Sequence, residues 1–143
     1  MVKKSSKAKR PVKKIARRKS APAAKNFFPL LQKDERYAGI LLDEQGHPTA
    51  HLIPLPGELD SRTWNGAKAW AKNNGGELPT RQEQALLFAN AKSAFQPDWY
   101  WSGEQFAGSP DCAWLQNFSN GGQDYDRKAY DYRARAVRRV SIQ

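Results

Sequence analysis

Two segments near the C-terminus, residues 113–118 and 135–140, constrain the fold more than any other part of this sequence. In the first, a period of two places Trp114 and Phe118 on one face and Leu115 on the other. The second segment alternates in the same way and also contains apolar side chains that can pack. The two patterns predict two strands of one sheet.

The run between these segments, residues 123–133, lacks apolar partners and is rich in tyrosine and charged side chains. Tyrosine provides a large contact area at little cost in rotamer freedom, and aspartate adds directed hydrogen bonds, as in antibody loops. The run therefore predicts a loop that displays a recognition surface. The alternative is a solvated loop whose three rings, those of Tyr125, Tyr130 and Tyr132, fold back onto the sheet.

The positive charge of the chain is concentrated at its N-terminus. Residues 1–25 contain eleven Lys or Arg and no acidic residue, which leaves thirteen basic and fourteen acidic residues, a net charge of −1, in residues 26–143. A basic segment without a hydrophobic period cannot recover its ordering entropy by burial, so we expect residues 1–25 to be a disordered tail. Its charge favours DNA, RNA or an anionic membrane face, and the alternative is a solubilising arm with only non-specific attraction. The densest block of candidate nucleic-acid-binding or anion-binding residues comprises Lys13, Lys14, Arg17, Arg18 and Lys19.

Residues 26–143 are long enough for one domain, since a chain of this length buries roughly 65% of its unfolded surface. They contain all five Trp, all six Phe and all five Tyr, which predicts an aromatic-rich core. Cys112 is the only cysteine, so an intramolecular disulfide and a cysteine-based metal cluster are excluded. No apolar run approaches the ~20 residues of a membrane span, and no apolar segment follows the basic start as in a secretory signal peptide.

The first part of the domain predicts a β-hairpin. Residues 37–42 and 49–55 are typical of strands, and the stretch between them has turn chemistry. Pro54 and Pro56 interrupt the second strand, which indicates a sheet edge because proline cannot donate to a ladder. His47 and His51 flank the return, but no third histidine or cysteine accompanies them, so a structural or exposed role is favoured over a metal site.

Two helices are predicted next. Ser61 or Thr63 is a suitable N-cap for the first, and an Asn-Asn-Gly-Gly stretch supplies a left-handed stop. Thr80 and Glu83 form the pattern of a capping box for the second helix, which continues to about Ala91. The apolar face of the first helix comprises Trp64, Ala67, Trp70 and Ala71.

Catalysis has little support in the sequence. There is no nucleophile elbow, no phosphate-binding glycine loop and no His–Cys or His–Ser pairing. Asp124 and Asp126 lie two residues apart, and nothing in the sequence forces them into a catalytic pair. We therefore expect a non-enzymatic protein with no catalytic residues, no cofactor and no metal.

Five motifs follow one another along the chain: WNGAKAW at 64–70, GGELPTRQE at 75–83, YWS at 100–102, AW with FSNG at 113–121, and RAVRR at 135–139. In this order and spacing they resemble the Lcl C-terminal domain family of bacteria and their phages, over roughly residues 37–140. The resemblance implies an α+β, C-type-lectin-like fold in which two helices flank a small, mostly antiparallel sheet.

The closing motif is also similar to that of the variable proteins of diversity-generating retroelements. In those proteins, adenine-directed mutagenesis rewrites codons of the last strands and loop, so that Asn codons become codons for Tyr, Asp, Ser, Ala and related residues. The similarity implies that the ligand-binding residues here are drawn from Gln116, Asn117, Ser119, Asn120, Asp124, Tyr125, Asp126, Tyr130, Asp131 and Tyr132.

Two further likenesses are incomplete, because a motif or residue that each one requires is missing. The tripeptide 96–98, Gln-Pro-Asp, resembles part of a galactose-type calcium site in C-type lectins, but the companion Trp-Asn-Asp motif is missing. The implied fold is similar to that of formylglycine-generating enzymes, whose copper chemistry needs a cysteine pair that this chain lacks.

The expected function is a ligand-binding module for an unknown protein or glycan, with a nucleic-acid-associated protein acting through its tail as the alternative. The basic tail favours a cytoplasmic or virion-associated protein.

Overall fold

Short strands and two helices make up the part of the chain that the structure describes, residues 28–142 of a computed structural model. The predicted tail, residues 1–25, and its basic block lie outside the described residues. Residues 31–142 fold as one unit. In chain order the elements are β1 Gly39–Leu42, β2 Pro48–Pro54, β3 Leu59–Arg62, α1 Trp64–Asn73, α2 Arg81–Ala91, a 3₁₀ turn Lys92–Ala94, β4 Trp99–Gln105, β5 Cys112–Asn117, β6 Gln123–Arg127, β7 Tyr132–Ala134 and β8 Val137–Ser141.

The strands form two sheets. Three strands pair in the order β1-β2-β8, and five pair in the order β3-β7-β4-β5-β6. Every pairing is antiparallel except that of β4 with β7. The predicted α+β class, with two helices and mostly antiparallel strands, is confirmed, although there are two sheets where one was expected.

The predicted hairpin is present as β1 and β2, but its place in the sheet differs from the expectation. β2 lies between β1 and β8, with Leu52 and Ile53 completely buried, so the expectation of an edge strand is wrong. Pro54 is accommodated because it is the last residue of β2, opposite Val137, where the ladder ends. The next residue resumes hydrogen bonding, since the Leu55 N–H donates to the Ala136 carbonyl at 2.9 Å.

Side chains cap both helices where the sequence predicts. The hydroxyl of Thr63 accepts from the N–H of Gly66 at 3.3 Å, which satisfies one of the unpaired donors of the first turn of α1. The capping box of α2 is complete: the Glu83 N–H donates to the Thr80 hydroxyl at 3.1 Å, and the Thr80 N–H donates to Glu83 Oε1 at 2.8 Å. Both predicted helix starts are thereby confirmed.

Two apolar clusters fill the interior. One includes Trp101 of β4 and Trp64 of α1, and the other includes Leu87 of α2 together with Phe118. Buried indoles need a partner for their N–H. The Trp64 indole donates to the Ser102 carbonyl at 2.8 Å, and the Trp101 indole donates to the Arg62 carbonyl at 2.9 Å. These bonds tie α1 and the end of β3 to the central strand β4.

The last forty residues depart from the prediction in two ways. Residues 123–133 are not one loop, because Gln123–Arg127 forms β6, the edge strand next to β5. Residues 135–140 are not one strand, because the chain leaves the five-stranded sheet after β7 and joins the three-stranded sheet as β8. Neither helix in residues 28–142 is long and apolar enough to span a bilayer.

Candidate ligand-binding surface

The β5–β6 hairpin carries most of the predicted ligand-binding residues and divides them between two faces. Its register places Trp114 opposite Tyr125 and Leu115 opposite Asp124. Since successive side chains of a strand point to opposite faces, Tyr125 lies on one face of β6, and Asp124 and Asp126 lie on the other. The predicted residues therefore do not form one continuous surface.

On the first face, a cluster of half-buried side chains surrounds the exposed ring of Tyr125. The Tyr125 ring stacks on Phe106 with a centroid distance of 3.7 Å and an interplanar angle of 7°. Trp114 meets both rings edge-on, with centroids 5.3 Å from Phe106 and 5.9 Å from Tyr125. The guanidinium carbon of Arg81 lies 3.5 Å from the centroid of the Trp114 ring. We call these four residues, Arg81, Phe106, Trp114 and Tyr125, the aromatic face.

Hydrogen bonds hold Arg81 over the indole. Its Nε donates to Gln123 Oε1 at 2.9 Å, and the Gln123 amide donates back to the Arg81 carbonyl at 2.9 Å. The N–H of Arg81 donates to Glu104 Oε2 at 2.7 Å. A cation over an indole face is an attractive arrangement. The first of these bonds holds the guanidinium from β6, and the other two hold the Arg81 backbone from β6 and β4.

Gln116 is a correction to the predicted site. It was expected at the surface, but its side chain is completely buried. Its amide nitrogen donates to the Gln84 carbonyl at 2.9 Å, and its oxygen accepts from Gln123 at 2.7 Å. The reason is that α2 packs over this part of β5. Gln116 holds the Gln123 side chain by this hydrogen bond, and because it is buried it is not available to a ligand.

The second face combines carboxylates with a tyrosine that packs inward. The Tyr132 ring meets the buried Trp101 ring edge-on at 5.1 Å, and its hydroxyl donates to the Asp126 carboxylate. Burial, and then the hydrogen bond and negative charge of Asp126, raise the pKa of Tyr132 to about 12. Of the three tyrosines of this run, Tyr132 folds back onto the sheet, as the alternative interpretation expected, instead of facing solvent.

The turn between β5 and β6 uses its polar side chains to hold its own shape. Asn117 Oδ1 accepts from the N–H of Ser119 at 2.9 Å and from its hydroxyl at 2.8 Å. Asn120 Oδ1 accepts from the N–H of Gly122 at 2.8 Å. Gly121 has a φ of 83°, a left-handed conformation that favours glycine. Ser119 and Asn120 remain exposed at the tip of the hairpin.

Exposure sorts the predicted residues into three groups. Tyr125 and Tyr130 are 46% and 52% exposed, so both phenols are open to solvent. The side chains of Ser119, Asn120, Asp124 and Asp131 are also exposed. The half-buried residues are Asn117, Asp126 and Tyr132, and the buried one is Gln116.

Sequence reasoning included only Tyr125 of the aromatic face among the ligand-binding residues and missed Trp114, Arg81 and Phe106, of which only Trp114 lies in a predicted strand. Arg81 begins α2 and is 42 positions from Gln123, and Phe106 belongs to the connection between β4 and β5. No local pattern relates either residue to the hairpin. The fold alone brings them to Tyr125.

The Gln-Pro-Asp tripeptide has a structural role here. Asp98 Oδ2 accepts from Arg133 Nε at 2.9 Å, and Asp98 Oδ1 accepts from the N–H of Trp99 at 2.7 Å. Within residues 28–142, no three His, Cys, Asp or Glu side chains are grouped where they could hold a metal ion.

Comparison with known proteins adds no family to this geometry. No protein-family model matches the chain, and no curated protein does either. The likeness to the Lcl family and to retroelement variable proteins stays a prediction.

Proposed function

We propose that this protein is a non-enzymatic binding module that captures a protein or glycan ligand on the aromatic face of the β5–β6 hairpin. The stack of Tyr125 on Phe106, at a solvent-exposed edge of the sheet, carries the proposal. Tyr, Trp and Arg contribute more often than other residues to binding energy at interfaces. Aromatic rings that stay exposed in a folded domain offer both apolar area and a polar edge.

The aromatic face is also preorganised, which favours binding. Freezing a rotamer-rich side chain on association costs about 0.5–1.5 kcal/mol. Stacking restrains Tyr125, and the reciprocal bonds with Gln123 restrain Arg81, so little of this cost remains for the complex. The buried Gln116 extends this support into the core.

The neighbouring polar residues supply directional contacts at the rim. Ser119 and Asn120 are exposed at the tip of the β5–β6 hairpin. These positions belong to the set that the likeness to retroelement variable proteins implies. A ligand centred on Tyr125 would therefore meet residues that diversification could change without disturbing the core.

The test is to screen the full chain against an array of defined glycans and a displayed peptide library, and then to measure the strongest binder with variants. Tyr125→Ala should weaken binding at least tenfold, because it removes the centre of the stack. Tyr130→Ala is the matched control, since this tyrosine is similarly exposed but lies outside the aromatic face. Equal binding by Tyr125→Ala and the unchanged protein would reject the aromatic face as the site.

A second candidate function follows from the charge distribution. All of the net positive charge lies in residues 1–25, while residues 26–143 carry a net charge of −1. Such a segment attracts phosphate backbones by releasing counterions. We propose, as the alternative, that the protein associates with nucleic acid through this tail, with the domain as a separate reader or a passive head.

Salt dependence tests this alternative. The logarithm of the affinity for duplex DNA should fall with the logarithm of salt concentration, with a slope of about −0.9 for each phosphate neutralised. Substituting Arg17, Arg18 and Lys19 with Gln should flatten the slope. The matched control replaces three lysines of the domain that lie outside any proposed anion site, Lys33, Lys92 and Lys128, with Gln. If both triple variants behave alike, the tail has no special role.

A further inference from the structure

A second concave site lies beside the linker between α1 and α2, and none of the aromatic-face residues line it. It has a volume of about 500 Å³, within the range of small-molecule pockets. Its walls come from α1, the linker that joins α1 to α2, β4 and β8. We call it the basic cavity. The residues that matter here are Lys68, Lys72, Glu77, Leu78, Gly103 and Arg139.

Charge in the basic cavity is unbalanced towards the positive. Arg139 is already paired with Glu77 and with the buried Glu83. Glu77 is the one acidic residue among the described residues that line the cavity, and its carboxylate is already paired with Arg139. Lys68 and Lys72 lie one helical turn apart on α1 and face the same side. Their two ammonium groups are left to meet an incoming anion.

Lys68 is also partly held in place. Its ammonium lies 4.1 Å from the centroid of the buried Trp64 ring, and the indole restrains the lysine while leaving its charge unneutralised. A cation so placed loses less freedom when it binds a ligand than a fully mobile surface lysine does.

The inner wall of the cavity is apolar and closely packed. Leu78 is 5% exposed, and Gly103 lies directly against it, since a Cβ on Gly103 would be 3.0 Å from the Leu78 carbonyl oxygen. Gly76 lies against β8 in the same way, where a Cβ would be 2.4 Å from the Val137 carbonyl oxygen. The glycines let the linker pack on both sheets, which makes the cavity preformed.

We propose that the basic cavity binds a small organic anion, a carboxylate or phosphate monoester attached to an apolar ring. The ring would pack against Leu78 and Gly103, and Lys68 and Lys72 would bind the anionic group. This proposal is independent of the aromatic face, because the two sites share no residue.

The test is a titration of the full chain, labelled with ¹⁵N, with phenyl phosphate and benzoate. The amide signals of Gly76, Leu78 and Gly103 should shift with both probes at saturating concentration. Benzyl alcohol lacks the charge and methyl phosphate lacks the ring, so each should bind at least tenfold more weakly at these amides. Shifts confined to residues 1–25 would mean that the tail alone attracts the anion and would overturn the proposal.

Variants give a second, independent readout. Lys68→Gln with Lys72→Gln should weaken phenyl phosphate binding at least tenfold, whereas Lys33→Gln, an exposed lysine elsewhere, should not. Ala69→Trp, at an exposed position on the cavity wall, should block the probe by filling the space. Tyr125→Ala should leave probe binding unchanged. Unaltered affinity in the double lysine variant, or equal binding of benzyl alcohol, would overturn the proposal.

Discussion

Arg139 on β8 and Glu83 on α2 form a two-point ion pair that joins the last strand to the second helix, with Nη2 2.8 Å from Oε1. The Glu83 side chain is 3% exposed, and Arg139 is the cation that pairs with its buried carboxylate. The same carboxylate completes the capping box through the N–H of Thr80. One glutamate therefore sets the start of α2 and the docking of the chain end.

Removing the arginine should be costly. Arg139→Met leaves the Glu83 carboxylate buried without its cation, and breaking a buried pair in this way typically costs about 3–5 kcal/mol. Urea unfolding at neutral pH would measure the loss. Arg127→Met, at an exposed arginine, is the control and should change stability by less than about 0.5 kcal/mol. The double variant with Glu83→Gln should recover part of the loss; a double variant as unstable as the sum of the two singles would contradict coupling.

This pair also shows where sequence reasoning stops. The capping box was predictable because Thr80 and Glu83 are three residues apart, and the local backbone decides their contact. The partner of Glu83 is 56 positions away, and no local pattern identifies it. Helix starts, the first hairpin and the α+β class therefore followed from the sequence, whereas the long-range pairing did not.

Some features of the candidate surface were likewise predictable from the sequence, and others were not. Tyr125 and Tyr130 were predicted to be exposed, and they are. Gln116 lies in a strand whose alternation is visible, but the helix that covers it is distant in sequence. β6 was missed because its Gln-Asp-Tyr-Asp-Arg sequence has no apolar alternation and forms a strand only by pairing with β5.

Glu35 should make stability depend on pH in the acidic range. The hydrogen bond from the Arg138 side chain holds the pKa of Glu35 below its usual 4.5. A group with a lowered pKa in the folded state stabilises the protein fully above its unfolded pKa, and this contribution is lost as the pH falls. The difference in stability between the unchanged protein and Glu35→Gln, measured by urea unfolding, should therefore be full at pH 7 and shrink as the pH falls below 4.5. A constant difference from pH 7 to pH 3 would contradict this role of the ion pair.

Tyr132 should make stability depend on pH in the alkaline range. Its pKa of about 12 exceeds the usual 10.0, so the folded state favours the protonated phenol. The resulting stability is fully present below pH 10 and is lost as the pH rises towards 12. Relative to Tyr132→Phe, the unchanged protein should lose stability between pH 10 and 12, measured by urea unfolding. In absorbance at 295 nm, the variant should lack one transition near pH 12; its persistence would assign that transition to another tyrosine.

On the outer edge of β6, the backbone N–H groups that do not pair with another strand donate to neighbouring carboxylates instead. The Lys128 N–H donates to the Asp111 carbonyl, so, by the alternation of an antiparallel ladder, Tyr125 and Arg127 direct their N–H groups away from β5. The first of these donates to Asp124 Oδ1 and the second to Asp126 Oδ1, both at 2.8 Å.

Exposed edge strands invite pairing with another chain, and charged side chains at the edge oppose it. Asp124→Ala should therefore promote concentration-dependent self-association, which sedimentation velocity would detect, while the melting temperature changes little. Asp124→Asn keeps the oxygen acceptor and removes only the charge, so an intermediate effect is expected. Asp131→Ala removes an exposed carboxylate outside β6 and should not increase self-association above that of the unchanged protein. If Asp124→Ala and Asp131→Ala associate to the same degree, net charge rather than cover of the Tyr125 N–H controls the edge.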